Sequence, residues 1–106
     1  MTHAHLRCIS RDEDHAGTLL LTTEQLIWRV TDPGFPDAAG FAVPLTDVKG
    51  VADVGSASSG AFSLGLLLDG HLDAVLFLPQ RPDDAESVSA ASQMRAAIEG
   101  ARSAWS

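Results

Sequence analysis

Apolar and polar residues alternate with a period of two through much of the first 79 positions, the spacing that places every second side chain on one face of a β-strand. Residues 4–10 (AHLRCIS) offer Leu6 and Cys8 to one side. Residues 17–22 (GTLLLT) offer Leu19 and Leu21, and residues 25–30 (QLIWRV) offer Leu26, Trp28 and Val30. Next, 41–45 (FAVPL) presents Phe41, Val43 and Leu45, and Pro44, which has no N–H to give a ladder, marks an edge strand. Residues 48–54 (VKGVADV) form a weaker strand in which Gly50 predicts a bulge. The last two runs are 61–69 (AFSLGLLLD) and 71–79 (HLDAVLFLP). Their predicted inward sets are Phe62, Leu64, Leu66 and Leu68, then Leu72, Ala74, Leu76 and Leu78. Seven short strands result.

The polar breaks predict the connections. Thr22 to Gln25 is short enough to join two antiparallel neighbours as a hairpin. Asp69-Gly70, within LDGH at 68–71, supplies a tight turn between the last two strands. TDPGFPDAAG at 31–40 is a longer loop rich in Pro and Gly, and GSASSG at 55–60 is a loop of small residues. After Pro79 the pattern changes. Pro82 and Asp83 precede a helix, with Glu86 three residues beyond Asp83 as in a capping box. Val88, Ala91, Met94, Ile98, Ala101 and Trp105 recur every three or four residues as one apolar stripe, opposite Glu86, Arg95, Glu99 and Arg102. The expected architecture is a mainly β, seven-stranded antiparallel barrel or sandwich closed by one C-terminal α-helix. It occupies residues 1–106 as a single domain, with strands at about 4–78 and the helix at about 84–104.

Composition narrows the function classes. One cysteine, Cys8, leaves no internal disulfide, so a reducing, cytoplasmic setting is expected. Its alternation with Leu6 makes it a small core residue. No apolar run approaches the ~18 residues of a membrane helix, and the N-terminal MTHAHLRCIS lacks the layout of a signal peptide. The net charge of −7 comes from 14 acids and 7 bases, with Lys49 the only lysine and no two bases adjacent. Phosphate backbones and anionic lipid are bound by clustered cations. Nucleic acid is therefore excluded as an expected partner, and membrane surfaces are disfavoured.

GTLLLTTEQLIWR (17–29) resembles the pattern Gly-x-Leu-x-Leu-Thr-x-x-x-Leu-x-Trp/Phe of GRAM and related pleckstrin-homology (PH)-like domains. FAVPLTDVKGV (41–51) resembles their apolar-Pro-Leu-x-Asp-Val/Ile segment, and LGLLLDGHLDAVLFLP (64–79) is similar to their last hairpin. Similar runs open the PH-like domain in the core of the general transcription and repair factor H, the GLUE domain, and the chloride-conductance regulator of the methylosome. The resemblance spans residues 16–105, and Trp105 is similar to the tryptophan that PH domains carry in their closing helix. It implies a PH-like superfold serving as a non-enzymatic interaction module. The basic phosphoinositide motif of the first loop is missing, since SRDEDHAG (10–17) has one arginine and three acids.

Candidate chemistry is sparse. His3 and His5 share a strand face, but zinc needs further ligands, and Asp12, Asp14 or His15 is the nearby supply; no metal or cofactor is expected. AFSLG (61–65) falls one residue short of a Gly-x-Ser-x-Gly elbow, with Asp69, His71 and Asp73 downstream. That elbow needs a strand-to-helix turn, whereas Ser63 lies inside an alternating run. The acid pairs Asp12/Asp14 and Asp83/Asp84 read as a polar loop and a helix start, and GSASSG lacks the lysine of a phosphate-binding loop. No catalytic residue is expected.

A second apolar face is less ordinary. Ile27, Leu67, Val75 and Phe77 alternate with the predicted core positions and are the expected interaction surface. The expected function is docking of a protein partner, by strand addition or in a groove beside the helix, or self-association as a homodimer. A lipid- or membrane-binding module of GRAM or PH type is the alternative. A small-molecule-binding barrel or small enzyme is the third reading.

Overall fold

The computed structural model describes residues 2–10, 13–31, 34, 40–54, 60–68 and 70–105 and, of residues 10, 13 and 103–105, the backbone alone. Seven strands precede one helix: β1 (Thr2–Ser10), β2 (Glu13–Leu21), β3 (Gln25–Val30), β4 (Phe41–Pro44), β5 (Val48–Asp53), β6 (Phe62–Leu68), β7 (His71–Pro79) and α1 (Ala85–Trp105). A short 3-10 turn, Leu45–Asp47, links β4 to β5. All pairings are antiparallel, in the order β4-β3-β2-β1-β7-β6-β5. Among the described residues no ladder joins β4 to β5, so the sheet curls without closing by hydrogen bonds. The fold is mainly β, and both outer strands remain edges.

The break at Thr22 to Gln25 is a hairpin with a specific lock. Thr22 N–H donates to Gln25 O at 2.9 Å, and the Thr22 hydroxyl accepts Gln25 N–H at 2.9 Å. A threonine side chain thus supplies the turn hydrogen bonds. Trp28 resumes the core at once. The close approach at Gly17 makes room for it: a Cβ there would collide with Arg29 O and lie 2.8 Å from the indole ring.

The core is lined by Leu6, Leu19, Leu26, Trp28, Phe62, Leu64, Leu66, Val75 and Phe77 from the sheet, and by Ala91, Met94 and Ile98 from α1. Phe77 stacks on Phe62 with ring centres 5.4 Å apart, and it forms a T-shaped pair with Trp28 at 5.5 Å between centres. The bulge expected at Gly50 is a register shift between Val48 and Gly50.

Several expectations change. The segment 13–16 is strand rather than loop, because β2 pairs with β1 from Glu13 onward and Arg7 forms an ion pair with Asp14. The helix cap is Asp84, one residue later than expected: its Oδ1 accepts Glu86 N–H at 3.0 Å and its carbonyl accepts Val88 N–H at 3.0 Å. The inward set of β7 is Val75, Phe77 and Pro79, not Leu72, Ala74, Leu76 and Leu78. Register causes this. Cross-strand partners share a face, and Leu64 pairs with Val75 and Phe62 with Phe77. Residues 11, 12, 55–59 and 69, most of the 31–40 loop, and the Trp105 side chain lie outside what the structure describes.

Candidate interaction surface

The four residues expected to form one apolar strip are divided by the fold. Val75 and Phe77 are core, at 1% and 0% exposure, so that part of the expectation is corrected. Leu67 and Ile27 do face outward and are half-buried. Ile27 pairs with Leu20, which in turn pairs with His3. His3 lies about 20 Å along β1 from Ile9, at the usual strand rise. Ile27 therefore belongs to a separate outer pair.

The register assembles a different patch around Leu67. Leu67 stands directly opposite Leu72, and Leu76 stands opposite Ile9 across the β1–β7 seam. Between these two rows lies Gly65 opposite Ala74, with no large side chain. Leu72 is 66% exposed and leans over Gly65, 3.8 Å from where a Cβ would stand. Ile9, Leu67, Leu72 and Leu76 thus share one outer region of β1, β7 and β6. The helix packs on the other face of these strands, through Ala91, Met94 and Ile98. Period two in β7 groups Leu72 with Leu76, and the β6–β7 register puts that group on the outer face.

The other candidates do not converge. His3 and His5 sit edge to face on the outer side, 5.9 Å between ring centres, and His5 Nδ1 lies 3.0 Å from Thr18 Oγ1. His15 pairs with the buried Cys8 and so points to the opposite face, while Asp14 is held by Arg7. Among the described residues neither Asp14 nor His15 joins His3 and His5 as a zinc ligand, and Asp12 lies outside the described residues. Ser63 pairs with Leu76 and His71 with Leu68, which puts serine and histidine about 17 Å apart along the ladder. A shallow depression of about 240 Å3 at the β2–β3 turn is lined by Glu24, Gln25, Pro44, Leu45 and Thr46, a set with one carboxylate and no nucleophile–base pair.

Electrostatics are local. Hydrogen bonding to Asp14 raises the Arg7 pKa above its ordinary value. Burial, with a smaller contribution from Asp14, pushes the Cys8 thiol up to about 12. Arg95 lies against Asp53 at 2.8 Å and Glu99 at 3.2 Å, while Arg102 donates to the Val48 and Lys49 carbonyls. Lys49 Nζ donates to Thr46 O at 2.9 Å. Among the described residues no helix is long and apolar enough to cross a membrane.

Against known proteins the chain shows a likeness of fold. No protein-family model matches it, and no curated protein does. Among solved structures, the Slm1 PH domain in complex with inositol-4-phosphate matches with TM-score 0.60 and 17% identity over 92% of this chain and 94% of that one. A chain of the 8S snRNP assembly intermediate matches with TM-score 0.59 and 15% identity, over 92% and 82%. The N-terminal PH domain of human ARAP2 matches with TM-score 0.57 and 10% identity, over 99% and 81%. The fold is the PH-like superfold. The narrower GRAM or GLUE subtype is not supported by these likenesses.

Proposed function

We propose that this chain is a non-enzymatic PH-like interaction module that docks an apolar segment of a protein partner on the outer face of β1, β7 and β6. The observation that supports this is the grouping of Leu67, Leu72, Leu76 and Ile9, with Leu72 66% exposed, on a face the helix leaves uncovered. A folded chain normally turns polar residues outward on such a face, and contiguous apolar surface there marks contact sites. Large aliphatic side chains around the flat Gly65–Ala74 row suit an apolar segment laid across the strands. The Slm1 PH domain's inositol-4-phosphate gives the second reading, a headgroup-binding module, its precedent. Against that reading, the 7 bases are scattered along the sequence, with no two adjacent.

Peptide display tests the proposal without knowledge of the partner. A random peptide library is selected on the wild-type domain and counter-selected on the double variant L72S/L76S. Enriched peptides should be apolar at their centre and bind the variant about tenfold or more weakly, a loss of roughly 1.4 kcal/mol or more. The melting midpoint of the variant should stay near wild type, because outer-face substitutions usually change stability little. Peptides that bind both proteins equally, or no enrichment at all, would reject this face as the docking site.

A further inference from the structure

An open sheet offers a second route to partners: an extended segment can add to an edge as an eighth strand. The two edges differ. β4 is four residues long and ends in Pro44, which has no N–H to donate. β5 is longer, and α1 lies along it. Arg102 Nε donates to Val48 O at 3.0 Å, and Arg102 Nη2 donates to Lys49 O at 3.1 Å. Seven residues earlier Arg95 Nε stands 2.8 Å from Asp53 Oδ1, an ion-pair contact without hydrogen-bond alignment.

The two contacts have similar spacings on the helix and on the strand. Positions seven apart lie on one helix face, about 10 Å apart along the axis. Lys49 and Asp53 lie about 13 Å apart along a strand. One face of α1 therefore spans β5 from end to end. In a regular strand successive carbonyls point to opposite sides, yet Val48 O and Lys49 O both reach one guanidinium. The register shift between Val48 and Gly50 permits this. The planar fork of arginine can span two acceptors at once.

We infer that Arg95 and Arg102 form a two-point strap, which holds α1 along β5 and closes this edge to strand addition by another chain. The inference is independent of the outer-face reading, since it concerns an edge and not a face. It assigns the two arginines of the helix a task that their place on its expected polar side does not convey. Edge strands are commonly protected by charge, bulges or cover, and here all three meet at β5.

Amide hydrogen exchange tests the strap. In the wild-type domain, residues 49–53 should exchange more slowly than residues 41–44 on the other edge. In R102A, exchange across 49–53 should rise about tenfold or more, while β1 and β2 change by about twofold at most. R102K keeps the charge but replaces the rigid planar fork with a single ammonium, so it should open the edge nearly as far. The strap is overturned if the wild-type β5 exchanges as freely as β4, or if R102A leaves β5 at the wild-type rate. Should R102A fail to fold, the wild-type comparison and R102K decide the matter in the same way.

Discussion

Burial moves the Cys8 thiol from its ordinary value of 9.0 up to about 12, and the nearby Asp14 adds to the shift. A thiol that resists ionisation is a poor nucleophile. The folded domain should leave an aromatic disulfide reagent nearly unreacted at pH 8, with one equivalent reacting after denaturation. Linkage gives the sign of the pH effect. The folded pKa lies above the unfolded one, so the thiol's contribution to stability is fully present below about pH 9. It is lost as pH rises from there toward about 12. Rapid reaction of the native protein at pH 8 would show that Cys8 is accessible and that its burial is misread. The burial itself was legible, since Cys8 alternates with Leu6, but the shift depends on the carboxylate that β2 brings across the ladder.

At the level of elements, the helix carries the clearest expectation. Met94 and Ile98 are fully buried against the sheet, and Asp84 caps the first turn. Ile98→Ala should cost about 2–5 kcal/mol in denaturant melts, and Asp84→Ala about 1 kcal/mol. An unchanged midpoint for both would mean that α1 contributes nothing to the core. The apolar stripe made this helix legible. β7 was not, because both of its faces are apolar: Leu72, Leu76 and Leu78 compete with Val75 and Phe77, and period two cannot choose between them. The turn could have chosen. Two residues, Asp69 and Gly70, separate the strands, and Gly70 has φ +82°. Pairing Leu68 with His71 then fixes Leu64 on Val75 and Phe62 on Phe77. The start of β2 was hidden differently. Glu13, Asp14 and His15 have the composition of a loop, and only pairing with β1 and the Arg7–Asp14 contact make them strand.

For the whole molecule, the proposed preference for a protein partner over a lipid headgroup rests on charge. The net charge is −7, and its 7 basic residues are scattered along the chain. Several of the described ones are already engaged. Arg7 is paired with Asp14, Arg95 with Asp53 and Glu99, and Arg102 and Lys49 are turned onto backbone carbonyls. Attraction to an anionic membrane is worth about 1 kcal/mol for each basic side chain held near its surface. With the bases scattered in sequence, that sum is expected to fall short of the repulsion from 14 acids. The domain should therefore remain in solution when floated with phosphoinositide-containing vesicles at low salt, where screening is weakest and any attraction is greatest. The L72S/L76S variant should behave alike, because the outer apolar face is proposed to seek a protein segment rather than a membrane. Micromolar flotation that weakens as salt is added would reverse the ranking, making a lipid headgroup the first ligand to pursue and the protein partner the second.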